Sequence, residues 1–84
     1  MRIFNIGDDY NIVCNSEKTR NGFRHIAVLH HNGREVCRDK VCYQNRTWEA
    51  FEFETVCEQV MEKFFDADDA GRYKTALKDG YCRR

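Results

Sequence analysis

Tyr43-Gln44-Asn45-Arg46-Thr47-Trp48-Glu49, followed by the apolar-striped run from Phe51 to Phe65, is where the chain changes character. From Phe53 onward the apolar residues Phe53, Val56, Cys57, Val60, Met61 and Phe64 recur at steps of three and four, the period of a helix with one buried stripe. Thr47 is placed to cap that helix through its hydroxyl, and Glu49 and Glu52 fall where the helix dipole favours negative charge. Ahead of Tyr43 the pattern is different: short β-branched and aromatic runs separated by turn residues, the mark of strands. The stretch therefore divides a β-rich first half from a helical second half.

Working back from it, the strongest local signal is Asn32-Gly33, since a two-residue Asn-Gly turn accepts the positive φ angles of a type I′ hairpin. Strands over residues 23–31 and 34–43 should pair across that turn. A literal two-residue register sets Leu29 opposite Val36, Val28 opposite Cys37 and Phe23 opposite Cys42. Neither alternating face is then cleanly apolar, and a bulge is expected. Residues 2–6 and 10–14 read as two shorter strands around Gly7-Asp8-Asp9, with 15–22 as a polar loop. Working forward, Asp66 is the cap of a second helix over 67–78 that turns Ala70, Tyr73 and Leu77 inward, is weakened by Gly71 and stops at Gly80. With no proline, no repeat and no linker, residues 1–84 form a single α+β domain, ββββαα: an antiparallel sheet of three or four strands followed by helices over about 48–65 and 67–78.

A chain of 84 residues buries only roughly 60–65% of the surface its unfolded form exposes, so the core is thin and a homodimer would be a natural supplement. The 13% aromatic content argues for a folded chain nonetheless. No apolar run approaches the ~20 residues that span a bilayer, and Met1-Arg2-Ile3-Phe4-Asn5 has no signal-peptide core, so the expectation is a cytoplasmic protein without membrane contact. Five cysteines (Cys14, Cys37, Cys42, Cys57, Cys82) are an odd set without C-x-x-C spacing and read as small apolar thiols. For a chain outside the secretory route the glycosylation pattern Asn45-Arg46-Thr47 is coincidental.

The neutral total charge hides strong segregation: residues 17–47 carry seven basic against three acidic groups, 48–69 one against eight, and 70–84 five against one. Two surfaces follow from this. One is an acidic face on the helical segment, Glu54, Glu58, Glu62, Asp66 and Asp69, suited to a basic partner. The other is a basic hairpin, Arg24, Arg34, Arg38 and Lys40, interleaved with Phe23, Tyr43 and histidines, suited to nucleic acid. A third group, Tyr43, Asn45, Arg46 and Trp48 at the junction, has the Trp-Tyr-Arg composition of interface hot spots, and Tyr43, Arg46 and Trp48 would also suit a pocket that sequesters a small anionic nucleotide.

Catalytic chemistry finds little purchase. His25, His30, His31, Cys37 and Cys42 alternate across strand faces and cannot converge on zinc, so the histidines read as solvent-exposed edge groups. Glu62, Asp66, Asp68 and Asp69 lack the glycine and downstream glutamate of a calcium loop. No nucleophile elbow, phosphate loop or dinucleotide fingerprint is present. The reading is a protein that is not an enzyme and uses no cofactor or metal.

The motif Tyr43-Gln44-Asn45-Arg46-Thr47-Trp48-Glu49, continuing with Phe51, Phe53 and Val56, resembles a group of short proteins carried by bacteriophages and other mobile elements, for which no active site is assigned. The similarity runs from about Gly22 to Phe65. What it implies is a protein that blocks a host process by binding: an inhibitor of a bacterial host or defence protein, anti-CRISPR-like or otherwise anti-defence. A nucleic-acid-binding accessory protein and a nucleotide sponge are the alternatives.

Overall fold

The computed structural model describes residues 2–43 and 49–82. Four strands, β1 (Arg2–Gly7), β2 (Tyr10–Thr19), β3 (Gly22–His31) and β4 (Arg34–Tyr43), precede two helices, α1 (Glu49–Phe64) and α2 (Ala67–Cys82). The strands form one antiparallel meander in the order β1-β2-β3-β4. The expected ββββαα domain is therefore what the chain builds.

Asn32 and Gly33 adopt φ of 53° and 80°, the left-handed turn their sequence anticipates, and the Asn32 amide donates to the Asp9 carbonyl at 3.0 Å, joining the two turns at that end of the sheet. The literal hairpin register does not hold. His31 faces Arg34 and His30 faces Glu35, but Leu29 then faces Cys37, so Val36 is the extra residue of a bulge. Below it Val28 lies opposite Arg38 and Phe23 opposite Tyr43. One skipped residue brings Cys37, Asp39, Val41 and Tyr43 to the same face as His25, Ala27 and Leu29. A second departure concerns residues 15–19, which extend β2 rather than forming a loop: Asn15 through Thr19 pair in unbroken register with Ile26 through Gly22. Their polar side chains suit a strand segment whose residues Asn15 to Lys18 are all exposed.

Both helices lie on one face. α1 crosses β3 and β4, and α2 packs on β1 and α1. Between them and the sheet lie Phe4, Ile6, Ile12, Cys14, Ala27 and Leu29 from the strands, with Phe53, Val56, Cys57, Val60, Met61, Tyr73 and Leu77 from the helices. Each fully buried aliphatic side chain contributes about 1.5–3 kcal/mol relative to exposure, which is most of what so small a domain has. Asp66 caps α2 as expected, accepting from the Asp69 amide at 2.8 Å, and the helix continues past Gly80 to Cys82. At the other end of the core the Tyr73 hydroxyl donates to Asp8 Oδ2 at 2.9 Å and accepts from Arg72 Nη2 at 3.1 Å. Tyr10 packs against His31, Phe65 and Tyr73 in the same corner.

His25 corrects the view of the histidines as exposed edge groups. It stands on an inner strand, is 2% exposed, and packs edge-on to Phe53 at 5.5 Å and beside Tyr43 at 5.3 Å. The odd-numbered residues of β3 face the helices, which takes it inside. His31 is half-buried in a stack on Tyr10 at 4.1 Å, and His30 projects from the other side of the sheet.

Candidate functional site

The sheet face away from the helices is uncovered, and its register orders it in rows. Asn5, Asn11, His30 and Glu35 form a polar row at the turn end. Ile3, Val13, Val28 and Arg38 cross all four strands in the next, followed by Asn15, Ile26 and Lys40, then Glu17, Arg24 and Cys42. Ile3, Val13, Val28 and Ile26 thus make an aliphatic band, with Ile3 60% exposed at its β1 end and the cations at its β4 end. Antiparallel sheets commonly leave one face to solvent, yet that face is then mostly polar, and this one is aliphatic at its middle.

Three of the four residues expected to bind nucleic acid, Arg24, Arg38 and Lys40, meet on this face, and with Ile26, Asp39 and Lys63 they line an open depression of about 350 Å³. Lys63 was not anticipated. It sits in the last turn of α1, and its Nζ donates to the Arg38 carbonyl at 3.3 Å, a position that follows only once α1 is known to cross β4. Arg34 is not part of the group, since it pairs with His31 at the turn end on the helix side of the sheet. Phe23, His25 and Tyr43 also belong to the helix side, so the aromatic interleaving read from the sequence is not realised in space.

The cations are largely matched. Arg24 contacts Glu17 at 2.7 Å, and Arg38 holds Glu35 with two bonds, Nε at 2.9 Å and Nη2 at 2.5 Å. The Arg38 guanidinium keeps the Glu35 carboxyl below the usual carboxylate range, while Cys42 and then Glu17 raise Arg24 above the ordinary guanidinium value. Around this depression Arg24, Arg38, Lys40 and Lys63 against Glu17, Glu35 and Asp39 leave a surplus of one positive charge at the β4 edge.

The acidic residues sit elsewhere and are partly engaged. Glu54, Glu58 and Glu62 follow one another at four-residue steps along α1, and Glu62 pairs with Lys74 of α2. Asp66 is occupied in capping, and Asp69 lies 3.4 Å from Arg72. Between the helices a groove of about 390 Å³ is lined by Glu62, Phe65, Ala67, Ala70, Gly71 and Lys74. Of the junction group, Tyr43 is half-buried beside His25, whereas Asn45, Arg46 and Trp48, like the Thr47 cap, lie outside the described residues.

Among the described residues no three His, Cys, Asp or Glu side chains gather as metal ligands, and no helix is long and apolar enough to cross a membrane. No protein-family model, curated protein or solved structure matches the chain.

Proposed function

We propose that this chain is a non-catalytic binding protein whose target is another protein, and that it docks with the uncovered face of its sheet. The observation that supports this is the make-up of that face: an aliphatic band of Ile3, Val13, Ile26 and Val28 beside arginines held in ion pairs, the core-and-rim division of protein interfaces. Charge complementarity selects the occupant. With the surplus positive charge at the β4 end, the partner presents an apolar patch bordered on one side by carboxylates. The likeness to phage and mobile-element proteins makes a bacterial host or defence protein the natural target, and inhibition by occupancy the outcome.

A nucleic-acid role is the second reading, favoured by the arrival of Lys63 beside Arg24, Arg38 and Lys40. It is the weaker of the two, because Glu17 and Glu35 offset much of that charge and Phe23 and Tyr43 lie on the wrong side to stack bases.

The test begins with tagged protein used as bait in bacterial lysate, with and without nuclease, and continues with titration of the purified prey. The Ile3→Glu/Val28→Lys double variant should weaken binding about 30-fold or more, as loss of a hot spot does. Glu58→Lys/Glu62→Lys should leave it within about threefold. The proposal fails if the acidic reversal abolishes binding while the sheet variant does not, or if nuclease strips the prey.

A further inference from the structure

We propose that Cys14 and Cys57 are an oxidisable dithiol that closes into a disulfide clasping the sheet to the helix above it. Cys14 Sγ on β2 and Cys57 Sγ on α1 lie 3.2 Å apart, both fully buried, from positions 43 residues apart in sequence. A disulfide needs about 2.05 Å between sulfurs, so a displacement of roughly 1 Å completes the bond. The other described cysteines offer no such pair: Cys37 and Cys42 stand on opposite faces of β4, the first half-buried and the second exposed.

The same burial that aligns the two sulfurs also shields them. The thiolate is the attacking species, and the Cys57 thiol is pushed well above its ordinary range, first by its hydrogen bond with Cys14, then by burial, then by the charges of Glu58 and Glu54. Exchange with a small-molecule disulfide such as oxidised glutathione therefore proceeds through transient opening of α1 from the sheet. In that open state one protein thiolate attacks the reagent and releases one glutathione thiolate. The second protein thiolate then attacks the protein sulfur of the mixed disulfide and releases another. Two protein thiols and one glutathione disulfide become one protein disulfide and two glutathione thiols, with no further reactant. Once closed and repacked, the clasp is shielded from reduction in the same way.

The experiment uses the full chain carrying Cys37→Ser, Cys42→Ser and Cys82→Ser, so that only this pair can close. Reduced protein is exposed to oxidised glutathione either natively or in sub-denaturing urea, quenched by alkylation, and read by non-reducing peptide mapping and melting temperature. A Cys14–Cys57 cross-link is expected, formed at least tenfold faster in urea, and the closed form should melt roughly 10 °C or more above the reduced form. Wild-type chain serves as a second check, with the same cross-link expected to outlast any mixed disulfide at Cys42. Failure to form the link in urea, a closed form that melts lower than the reduced one, or equal rates in both conditions would overturn the proposal.

Discussion

Gly71 is the fifth residue of α2, inside a helix where glycine is disfavoured, and replacing it with alanine is the perturbation whose sign the structure determines most directly. A Cβ built there meets nothing within 4 Å, and the backbone is not in the left-handed region that would penalise a side chain. The Thr75 hydroxyl bonds to the Gly71 carbonyl at 3.1 Å, a contact the added methyl does not disturb. What remains is conformational entropy: glycine has more freedom to lose on folding, and alanine is favoured in helix interiors by about 0.8–1.0 kcal/mol. Gly71→Ala should therefore stabilise the domain by up to about 1 kcal/mol, against a total of roughly 4–13 kcal/mol for a chain of this size. In thermal denaturation followed by far-ultraviolet circular dichroism this is a rise of about 4–8 °C. In urea the midpoint should rise with unchanged slope. A lower melting temperature would refute the reasoning, because it would mean that something approaches the Gly71 backbone closely. The variant also bears on function. Gly71 lines the groove between the helices, and the sheet face assigned to docking is on the other side of the molecule. Gly71→Ala should keep full affinity for the captured partner, whereas a stabilised variant that no longer binds would move the docking site to that groove.

Adjacent residues on β3 test the assignment of faces: Leu29→Ala should cost about 2–5 kcal/mol in urea denaturation because Leu29 is fully buried, while Val28→Ala on the open side should cost under about 1 kcal/mol. Asp66→Ala should lose about 1 kcal/mol with the α2 cap and Asp66→Asn much less, a difference that chemical denaturation resolves. Alkaline titration should destabilise the fold in two stages. Cys57 and Tyr73 both bind their protons more tightly when folded, chiefly through the Cys14 hydrogen bond for the thiol and burial for the phenol. Their contributions are thus complete below the ordinary values of 9.0 and 10.0 and are lost as pH rises past them toward the higher folded values. Melting temperature against pH should fall from about pH 9, with Cys57→Ala flattening the first stage and Tyr73→Phe the second.

The order of elements was legible because each carries a local signature. Asn32-Gly33 needs only its own φ preferences to make a hairpin turn, and the three-four spacing from Phe53 to Phe64 needs only helical geometry to make a stripe. The faces of the sheet were not legible, for a specific reason. A strand has a period of two, so one inserted residue inverts every assignment beyond it, and the inserted residue is Val36, which nothing in its immediate sequence distinguishes from an ordinary strand valine. The bulge was expected from the mixed faces, but its position determines that Cys37 and Val41 turn toward the core while Arg38 and Lys40 turn away. The polar run Asn15–Thr19 misled in the other direction: its composition is that of a loop, and its conformation comes from pairing with β3 along its whole length.

The charge pattern shows why site residues are harder to read than elements. Segregation along the chain was plain, and it suggested a basic hairpin and an acidic helical face serving separate partners. In space the neutralisation is more local. Arg24 finds Glu17 on the adjacent strand and Arg38 finds Glu35 on its own, while Glu62 is met by Lys74 from α2, a helix whose side of α1 could not be known from sequence. Charge matched inside the molecule contributes little to steering a partner, whereas an aliphatic band left in water keeps its tendency to be buried. That difference is the reason for proposing the open face, rather than either charge block, as the docking surface. On that proposal a protein of zero net charge can still be selective: the ion pairs at the β4 end would set the register of a partner, and Ile3, Val13, Ile26 and Val28 would supply the affinity.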